Sequence, residues 1–376
     1  MWIAGGGTGG HVYPALAVAE ALAPAERSEA PGPTSLRRQE VNLRWIGSRG
    51  GVEEELVRRE GIAFDALLAG GVHGLGPLRA AINVLKLLAG FVRALELARR
   101  FRPQALLVTG GFISVPAAVA CWLSRTPIVV YLPDVEPGLA VKFVSRLAAK
   151  VAVSVAASEP FVPKAKMVVT GYPTRSFEGA TREAAIAHFG LDADRKTILV
   201  FGGSRGAHSL NRALSAILDQ VLARGQVIHI SGSLDAAAAE ARRSALPLPL
   251  QKFYHVYAYL YDDMGLALAA ADVAVSRSGA SSLGEFPLFG LAAILVPYPY
   301  AWRYQKVNAD YLVARGAAIR LNDEDLAGGL YPALDRLLND DAARAQMRAR
   351  AQALARPDAA ARLADLVLSL ARVETT

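Results

Sequence analysis

The stretch Trp2-Ile3-Ala4-Gly5-Gly6-Gly7-Thr8-Gly9-Gly10-His11 decides the fold. A short apolar run passes into glycines, and Val12-Tyr13-Pro14 then opens a helical pattern through Leu22. Strand, glycine turn and helix in that order begin a parallel α/β sheet. Gly5, Gly7 and Gly10 fit the spacing G-x-G-x-x-G. Such a turn lets backbone approach phosphate oxygens, and the helix start adds free N–H groups and a positive dipole end. A nicotinamide site would also need an acid after the second strand to hold the ribose. That strand, Leu43–Ile46, runs into Gly47-Ser48-Arg49, which disfavours NAD.

The same theme recurs twice. Thr109-Gly110-Gly111-Phe112-Ile113-Ser114 follows a strand over Ala105–Val108, with Pro116 in the first helical turn. Gly202-Gly203-Ser204-Arg205-Gly206-Ala207 follows a strand over Thr197–Phe201 and precedes a helix containing Asn211. One such loop can merely pack a helix on a strand. Three, all at carboxyl ends of strands, point to bound phosphates. A fourth segment, Ser276-Arg277-Ser278-Gly279-Ala280-Ser281-Ser282-Leu283-Gly284-Glu285, follows a strand over Val273–Ser276. Its small residues offer another helix start. Glu285 either accepts hydrogen bonds from a vicinal diol such as a ribose or serves the helix dipole.

Further strands are expected at Ile128–Tyr131, Val151–Val155, Met167–Thr170, Gln226–Ile230, Phe253–Val256 and Ala293–Val296. Helical segments separate most of them, and the series restarts after Gly171-Tyr172-Pro173. The economical architecture is two Rossmann-like domains facing each other across a cleft. The boundaries are 1–170, 171–350 and a helical tail over 351–376. Pro24 to Asn42, rich in proline, serine and charge, reads as a surface loop.

Composition narrows the class. With 53% hydrophobic and 20% charged residues the chain is not disordered. A single cysteine, Cys121, excludes an internal disulfide and a cysteine-rich zinc site. His73, His188, His208, His229 and His255 do not cluster at metal-ligand spacing, and Asp192-Ala193-Asp194 lies in a connection, so neither metal nor cofactor is expected. The N-terminus lacks the basic and apolar regions of a signal peptide. Two uncharged stretches, 103–124 and 286–302, are broken by glycine and proline and read as strand, turn and helix rather than membrane spans.

The net charge of +7 has one location. Ten basic and three acidic residues lie between Gly76 and Lys150, and the rest of the chain sums to zero. Within that span Pro77 to Phe101 predicts a long amphipathic helix. Arg79, Lys86, Arg93 and Arg100 recur every seven residues, while Leu78, Ile82, Leu85, Leu88, Phe91, Val92 and Leu95 supply apolar surface. Lys142, Arg146 and Lys150 form a second ladder, and Trp122 is a further aromatic. The pattern suits either a core-facing helix with a solvated basic back or an anionic membrane surface. No nucleic-acid motif accompanies the charge.

Taken in order, these blocks resemble the MurG family of bacterial glycosyltransferases. The resemblance covers nearly the whole chain. It rests on GGGTGGHVYPALAVAEAL, TGGFISVPAAVA, GGSRGAHSLN, Tyr261-Asp262-Asp263-Met264, ADVAVSRSGASSLGE and ILVPYPYAWRYQKVNADYL. It implies a GT-B fold and transfer of N-acetylglucosamine from UDP-GlcNAc to the lipid-linked acceptor lipid I, with inversion, to form lipid II of peptidoglycan. It also implies a peripheral enzyme on the cytoplasmic, anionic leaflet of the cell membrane, which favours the membrane reading of Arg79, Lys86, Arg93, Trp122 and Lys142.

Carried onto this sequence, the resemblance puts Ser204 on a UDP phosphate with Arg175 nearby. The backbone of Tyr261 meets the uracil. Ala280, Ser281, Ser282, Leu283, Gly284 and Glu285 wrap phosphate and ribose, and Gln305, with Asn308 in the same block, reaches the sugar. Thr8, Gly9, Gly10, Gly110 and Gly111 face the acceptor pyrophosphate and the transferred sugar. The chemistry needs a base for the acceptor hydroxyl. His11 ends the first glycine loop and is the natural candidate.

One segment departs from the pattern. Family members typically read His-Glu-Gln-Asn where this chain reads Tyr131-Leu132-Pro133-Asp134. Asp134 falls at the asparagine expected to touch the donor sugar, and it is the alternative candidate for the base. An amide donates and accepts, whereas a carboxylate only accepts. Tyr304 likewise precedes Gln305 where histidine or glutamine is usual. These changes leave open a related GT-B transferase with another UDP-sugar or acceptor, or a catalytically silent membrane-associated homologue.

Overall fold

Apolar runs buried on both faces, each followed by a helix, give two parallel sheets in the computed structural model. The structure describes residues 1–7, 9–23, 41–70, 77–203, 206–300 and 303–371, with backbone alone at 52 and 77–81. Two units form: Met1–Arg175 together with the chain from Pro357, and Ser176–Arg356.

The first unit holds β1 (Trp2–Gly5), β2 (Arg44–Ser48), β3 (Ala63–Leu67), β4 (Leu106–Gly110), β5 (Ile128–Leu132), β6 (Lys150–Val153) and β7 (Met167–Val169). Their order is β3-β2-β1-β4-β5-β6-β7, all parallel. β4 and β5 are buried along their whole length. Trp45 is fully buried, and its indole N–H donates to Gly5 O at 2.9 Å, pinning the end of β1 where the glycine loop begins. Helix Ala359–Ala371 buries Leu363, Ala364 and Val367 and packs against helix Gly9–Leu22.

The second unit repeats the plan with β8 (Lys196–Phe201), β9 (Gly225–Ile230), β10 (Tyr254–Tyr257), β11 (Val273–Ser276), β12 (Ala292–Leu295) and β13 (Ala318–Arg320). The order is β10-β9-β8-β11-β12-β13, again parallel. Each sheet therefore reverses its winding once, between β1 and β4 and between β8 and β11. In open α/β sheets ligands bind outside the carboxyl ends of strands at such points. The first and second glycine loops flank one reversal, and the third loop and the Ser276–Glu285 segment flank the other.

All eleven strands expected from the sequence are present. β3 and β13 are additional. Both are edge strands; β3 carries Asp65 and β13 is three residues long, so neither forms the apolar run that marks a central strand. The long helix runs Pro77–Phe101 and stops where Arg102 adopts φ 43° before Pro103. Residues 24–40 of the expected surface loop lie outside the described residues.

Candidate active site

β1 and β4 end side by side at Gly5 and Gly110, so their glycine loops meet. Thr109 Oγ1 donates to His11 O at 2.7 Å, joining the loops. Gly110 has φ +129°, and a Cβ there would stand 2.5 Å from the His11 ring. Gly111 has φ +81°, and its Cβ would stand 2.5 Å from Gly6 O. Only glycine allows this approach, which seats the imidazole against the backbone of the second loop. Gly9 and Gly10 begin helix Gly9–Leu22. Thr8 lies outside the described residues.

His11 Nδ1 is 3.3 Å from Gly6 O. That contact needs a proton on Nδ1, which leaves the lone pair of the neutral ring on Nε2. Burial lowers the pKa of the ring below its ordinary 6.5; the charge of Asp134, the bond to Gly6 and the charge of Glu53 oppose that in decreasing order. The ring is neutral at neutral pH and competent to take a proton. The half-buried Asp134 thus acts on His11 electrostatically within the same unit.

The segment that departs from the family pattern is anchored from behind. Tyr131 is fully buried, and its hydroxyl is 2.7 Å from Ser154 Oγ, which donates to Pro133 O at 2.7 Å. Burial, foremost, raises the Tyr131 pKa well above 10, so the phenol stays protonated. Arg175, at the end of the first unit, sets its guanidinium over the Tyr13 ring, 5.7 Å from the centroid.

In the second unit the Gly206 amide donates to Gly203 O at 2.7 Å, closing the third glycine turn; Ser204 and Arg205 lie outside the described residues. Behind this turn Asn211 Nδ2 donates to Ser231 O at 2.8 Å and to Asp235 Oδ2 at 2.7 Å. Its Oδ1 is 3.0 Å from His229 Nε2, and His229 Nδ1 is 2.7 Å from the Tyr254 hydroxyl. Burial depresses the His229 pKa to about 4, so a neutral imidazole completes this buried chain.

The Ser276–Glu285 segment is braced from the helix Tyr304–Val313. Ser278 Oγ donates to Gln305 O at 2.8 Å, and the fully buried Asn308 donates from Nδ2 to Ser278 O at 3.2 Å. Ser282 Oγ donates to Gly279 O at 2.7 Å. The side chains of Ala280, Ser282 and Leu283 are buried, so these residues offer a ligand their backbone. Ser281, Gly284 and Glu285 are half-exposed. Gln305 Oε1 accepts from the Tyr298 amide at 2.9 Å, and Tyr261 is exposed.

Three features carry no clear signal in the sequence. Glu53 is fully buried and accepts from the amides of Gly7 (3.2 Å) and Ser48 (2.8 Å). The acid sought at the end of the second strand therefore sits on the following helix, and it holds backbone. Arg277 ties the carboxyl ends of β11 and β12 to Asp323 (Nη1 to Oδ1, 2.5 Å) and to Ser209 Oγ (2.8 Å). The Tyr131–Ser154 pair is the third. The one hint is a polar residue inside or just beyond an apolar strand. Among the described residues no group of His, Cys, Asp and Glu is arranged to hold a metal ion.

Helices Pro77–Phe101, Ser114–Leu123 and Leu139–Leu147 pack in succession. Leu85, Leu88, Val92 and Trp122 are each more than half exposed, and Ile82, Leu139 and Phe143 are exposed as well. Lys86, Arg93 and Lys142 are exposed on the same helices, with Arg93 paired to Glu96. The Arg79 side chain lies outside the described set. Ala94, Leu97 and Ala98 form the buried face of the long helix. No helix among the described residues is long and apolar enough to cross a membrane.

Two Rossmann-like units, each with glycine loops at its winding reversal, have the architecture of the GT-B fold. Family models agree: the glycosyltransferase family 28 N-terminal domain matches residues 34–153, and the C-terminal domain matches 197–363. The chain is 44% identical to a UDP-N-acetylglucosamine–N-acetylmuramyl-(pentapeptide) pyrophosphoryl-undecaprenol N-acetylglucosamine transferase of Roseiflexus sp. (strain RS-1), over 98% of this chain and 94% of the relative. A transferase of the same name from Desulforudis audaxviator is 36% identical, over 98% of each chain. The crystal structure of Acinetobacter baumannii MurG superposes with a TM-score of 0.72 at 25% identity, over 98% of each chain. The chain belongs to glycosyltransferase family 28 and, within it, to the MurG family.

Proposed function

We propose that this enzyme transfers N-acetylglucosamine from UDP-GlcNAc to lipid I, forming lipid II with inversion at the anomeric carbon. The observation that carries the reading is the 44% identity, across nearly the full chain, to a relative named for that reaction. In this mechanism the acceptor hydroxyl oxygen attacks the anomeric carbon, and the bond from that carbon to the UDP oxygen breaks. His11 Nε2 takes the hydroxyl proton, and UDP leaves with the bonding electrons. The neutral ring and its Nδ1 contact to Gly6 O support His11 in this role. Asp134, whose charge has the largest electrostatic effect on the ring, supports it in that role.

The donor belongs to the second unit: the third glycine turn and Ser204 take the UDP phosphates, with Arg175 assisting. Tyr261 backbone meets the uracil, and Ala280 to Glu285 hold phosphate and ribose. Backbone N–H groups at helix starts stabilise the departing UDP. Gln305, held through Tyr298, faces the sugar. Gly9, Gly10, Gly110 and Gly111 receive the acceptor pyrophosphate. The exposed apolar side chains and Lys86, Arg93 and Lys142 seat the enzyme peripherally on the anionic cytoplasmic leaflet, where a lipid-linked acceptor resides.

Asp134 supports a second reading, a transferase with another UDP-sugar or acceptor, because a carboxylate replaces an amide beside the sugar. UDP release measured with several sugar nucleotides, each with and without lipid I, separates the two. Turnover only with UDP-GlcNAc and lipid I upholds the first; turnover with a different pair establishes the second.

A further inference from the structure

The Gly6–Gly7 peptide is held at both ends. Its N–H, on Gly7, donates to Glu53 Oε2 at 3.2 Å. Its carbonyl oxygen, on Gly6, faces His11 Nδ1 at 3.3 Å. A trans peptide is planar, with N–H and C=O pointing in opposite directions, so one rigid plane connects the carboxylate to the imidazole. The second oxygen of Glu53 accepts from Ser48 N at 2.8 Å, which fixes the carboxylate to the end of β2.

The surroundings are built for that carboxylate. A Cβ at Gly6 would lie 2.2 Å from Glu53 Oε1, and one at Gly51 would lie 2.5 Å from Oε2. Glu53 has no exposed surface, and among the described residues its hydrogen-bond partners are two amides rather than a cation. Burying a carboxylate this way is costly. An acid in the first turn of helix Val52–Arg59 could serve the dipole from solvent. Burial adds something else: a rigid acceptor for a loop 46 residues earlier in the chain.

We propose that Glu53 is the positioning residue for His11. By fixing the Gly6–Gly7 plane it makes Gly6 O the acceptor for Nδ1–H and reserves Nε2 for the substrate proton, a role that rests on His11 being the base named above. The carboxylate polarises the peptide and strengthens the Gly6 O acceptor. Its charge also favours a proton on the ring and so partly offsets burial. A side chain that only anchored its own helix would leave the His11 tautomer and titration untouched.

Glu53→Gln and Gly51→Ala in the full chain test this. Glutamine keeps the size but replaces one acceptor oxygen with an NH₂ that cannot accept from an amide. The alanine methyl displaces Oε2 without altering residues 5–11. Nitrogen-15 NMR of labelled histidine reads the tautomer, with the His11 signals identified by their loss in His11→Gln. Wild type should hold the proton on Nδ1 at neutral pH, and both variants should show mixed tautomers. In UDP-GlcNAc and lipid I turnover, Glu53→Gln should lower kcat about tenfold. The acid limb of kcat/KM should move to lower pH, because removing a negative charge makes the ring harder to protonate. KM for UDP-GlcNAc should stay within about twofold, since the proposed donor loops belong to the other unit. Folded variants with the wild-type tautomer and an unmoved acid limb overturn the proposal. Should Glu53→Gln fail to fold, Gly51→Ala, which displaces the carboxylate but keeps its charge, carries the tautomer and kcat readouts. Should wild type show no transfer, the functional reading fails separately, and the tautomer measurement still decides the role of Glu53.

Discussion

The Tyr131 hydroxyl lies 2.7 Å from Ser154 Oγ, and Ser154 Oγ donates in turn to Pro133 O at 2.7 Å. A tyrosine where the family pattern has histidine is therefore absorbed by a buried partner just beyond the neighbouring strand β6, and the pair holds the backbone that carries Asp134. Tyr131→Phe removes one hydroxyl while Ser154 keeps its carbonyl acceptors. The expected loss is about 1 kcal/mol of stability, read by urea unfolding, with turnover within about twofold. A large loss of turnover in a stable variant would show that the hydroxyl acts in the site.

The pH profile distinguishes the two base candidates. The folded pKa of His11 lies below 6.5, so kcat/KM should hold through pH 6.5 and decline only as pH falls through that lower value. Asp134→Asn removes the charge that most raises the His11 pKa, so the decline should move to still lower pH with activity retained at neutral pH. Loss of about a hundredfold or more at every pH in Asp134→Asn would make Asp134 the base instead.

Much of the fold is legible in the amino-acid sequence. Runs such as Thr197–Phe201 are apolar on both faces, which marks central parallel strands, and the glycine loops after them fall at the winding reversals. What stays hidden depends on chain segments distant in sequence. Glu53 reaches Gly7 across 46 residues and Tyr131 reaches Ser154 across 23, and no local pattern announces either contact. Asn308 and Ser282 resemble ligand contacts by position. The structure puts both inside, bracing the loop through Ser278 O and Gly279 O.

Stability should also depend on His229. Its folded pKa of about 4 lies below the ordinary 6.5, so the folded state binds the proton less readily than the unfolded chain. Stability is then full above pH 6.5 and is lost as pH falls toward 4, by roughly 3 kcal/mol when complete. Urea unfolding at pH 7 and near pH 4.5 should show the loss in wild type and a smaller one in His229→Gln. Equal losses would remove His229 as the cause.

Arg277 is nearly buried and depends on Asp323. Asp323→Ala should cost about 3 kcal/mol, because it strands a guanidinium. The double variant Arg277→Met/Asp323→Leu should recover most of that, and thermal and urea unfolding would both register it. A double variant as unstable as Asp323→Ala would contradict this account of the pair.

Vesicle binding should require anionic lipid and weaken as ionic strength rises. Neutralising Lys86, Arg93 and Lys142 together should cost about 3 kcal/mol, on the order of a hundredfold in affinity. Unchanged binding to anionic vesicles would separate these helices from the membrane.

The most direct test is UDP release from UDP-GlcNAc with and without lipid I, comparing wild type with His11→Ala and weighing UDP-GlcNAc binding alongside. Wild type should release UDP only with lipid I present and yield lipid II. His11→Ala should lose about a hundredfold or more of that turnover, with donor binding within about twofold. Absence of lipid II in the wild-type reaction, or full turnover by His11→Ala, would contradict this mechanism.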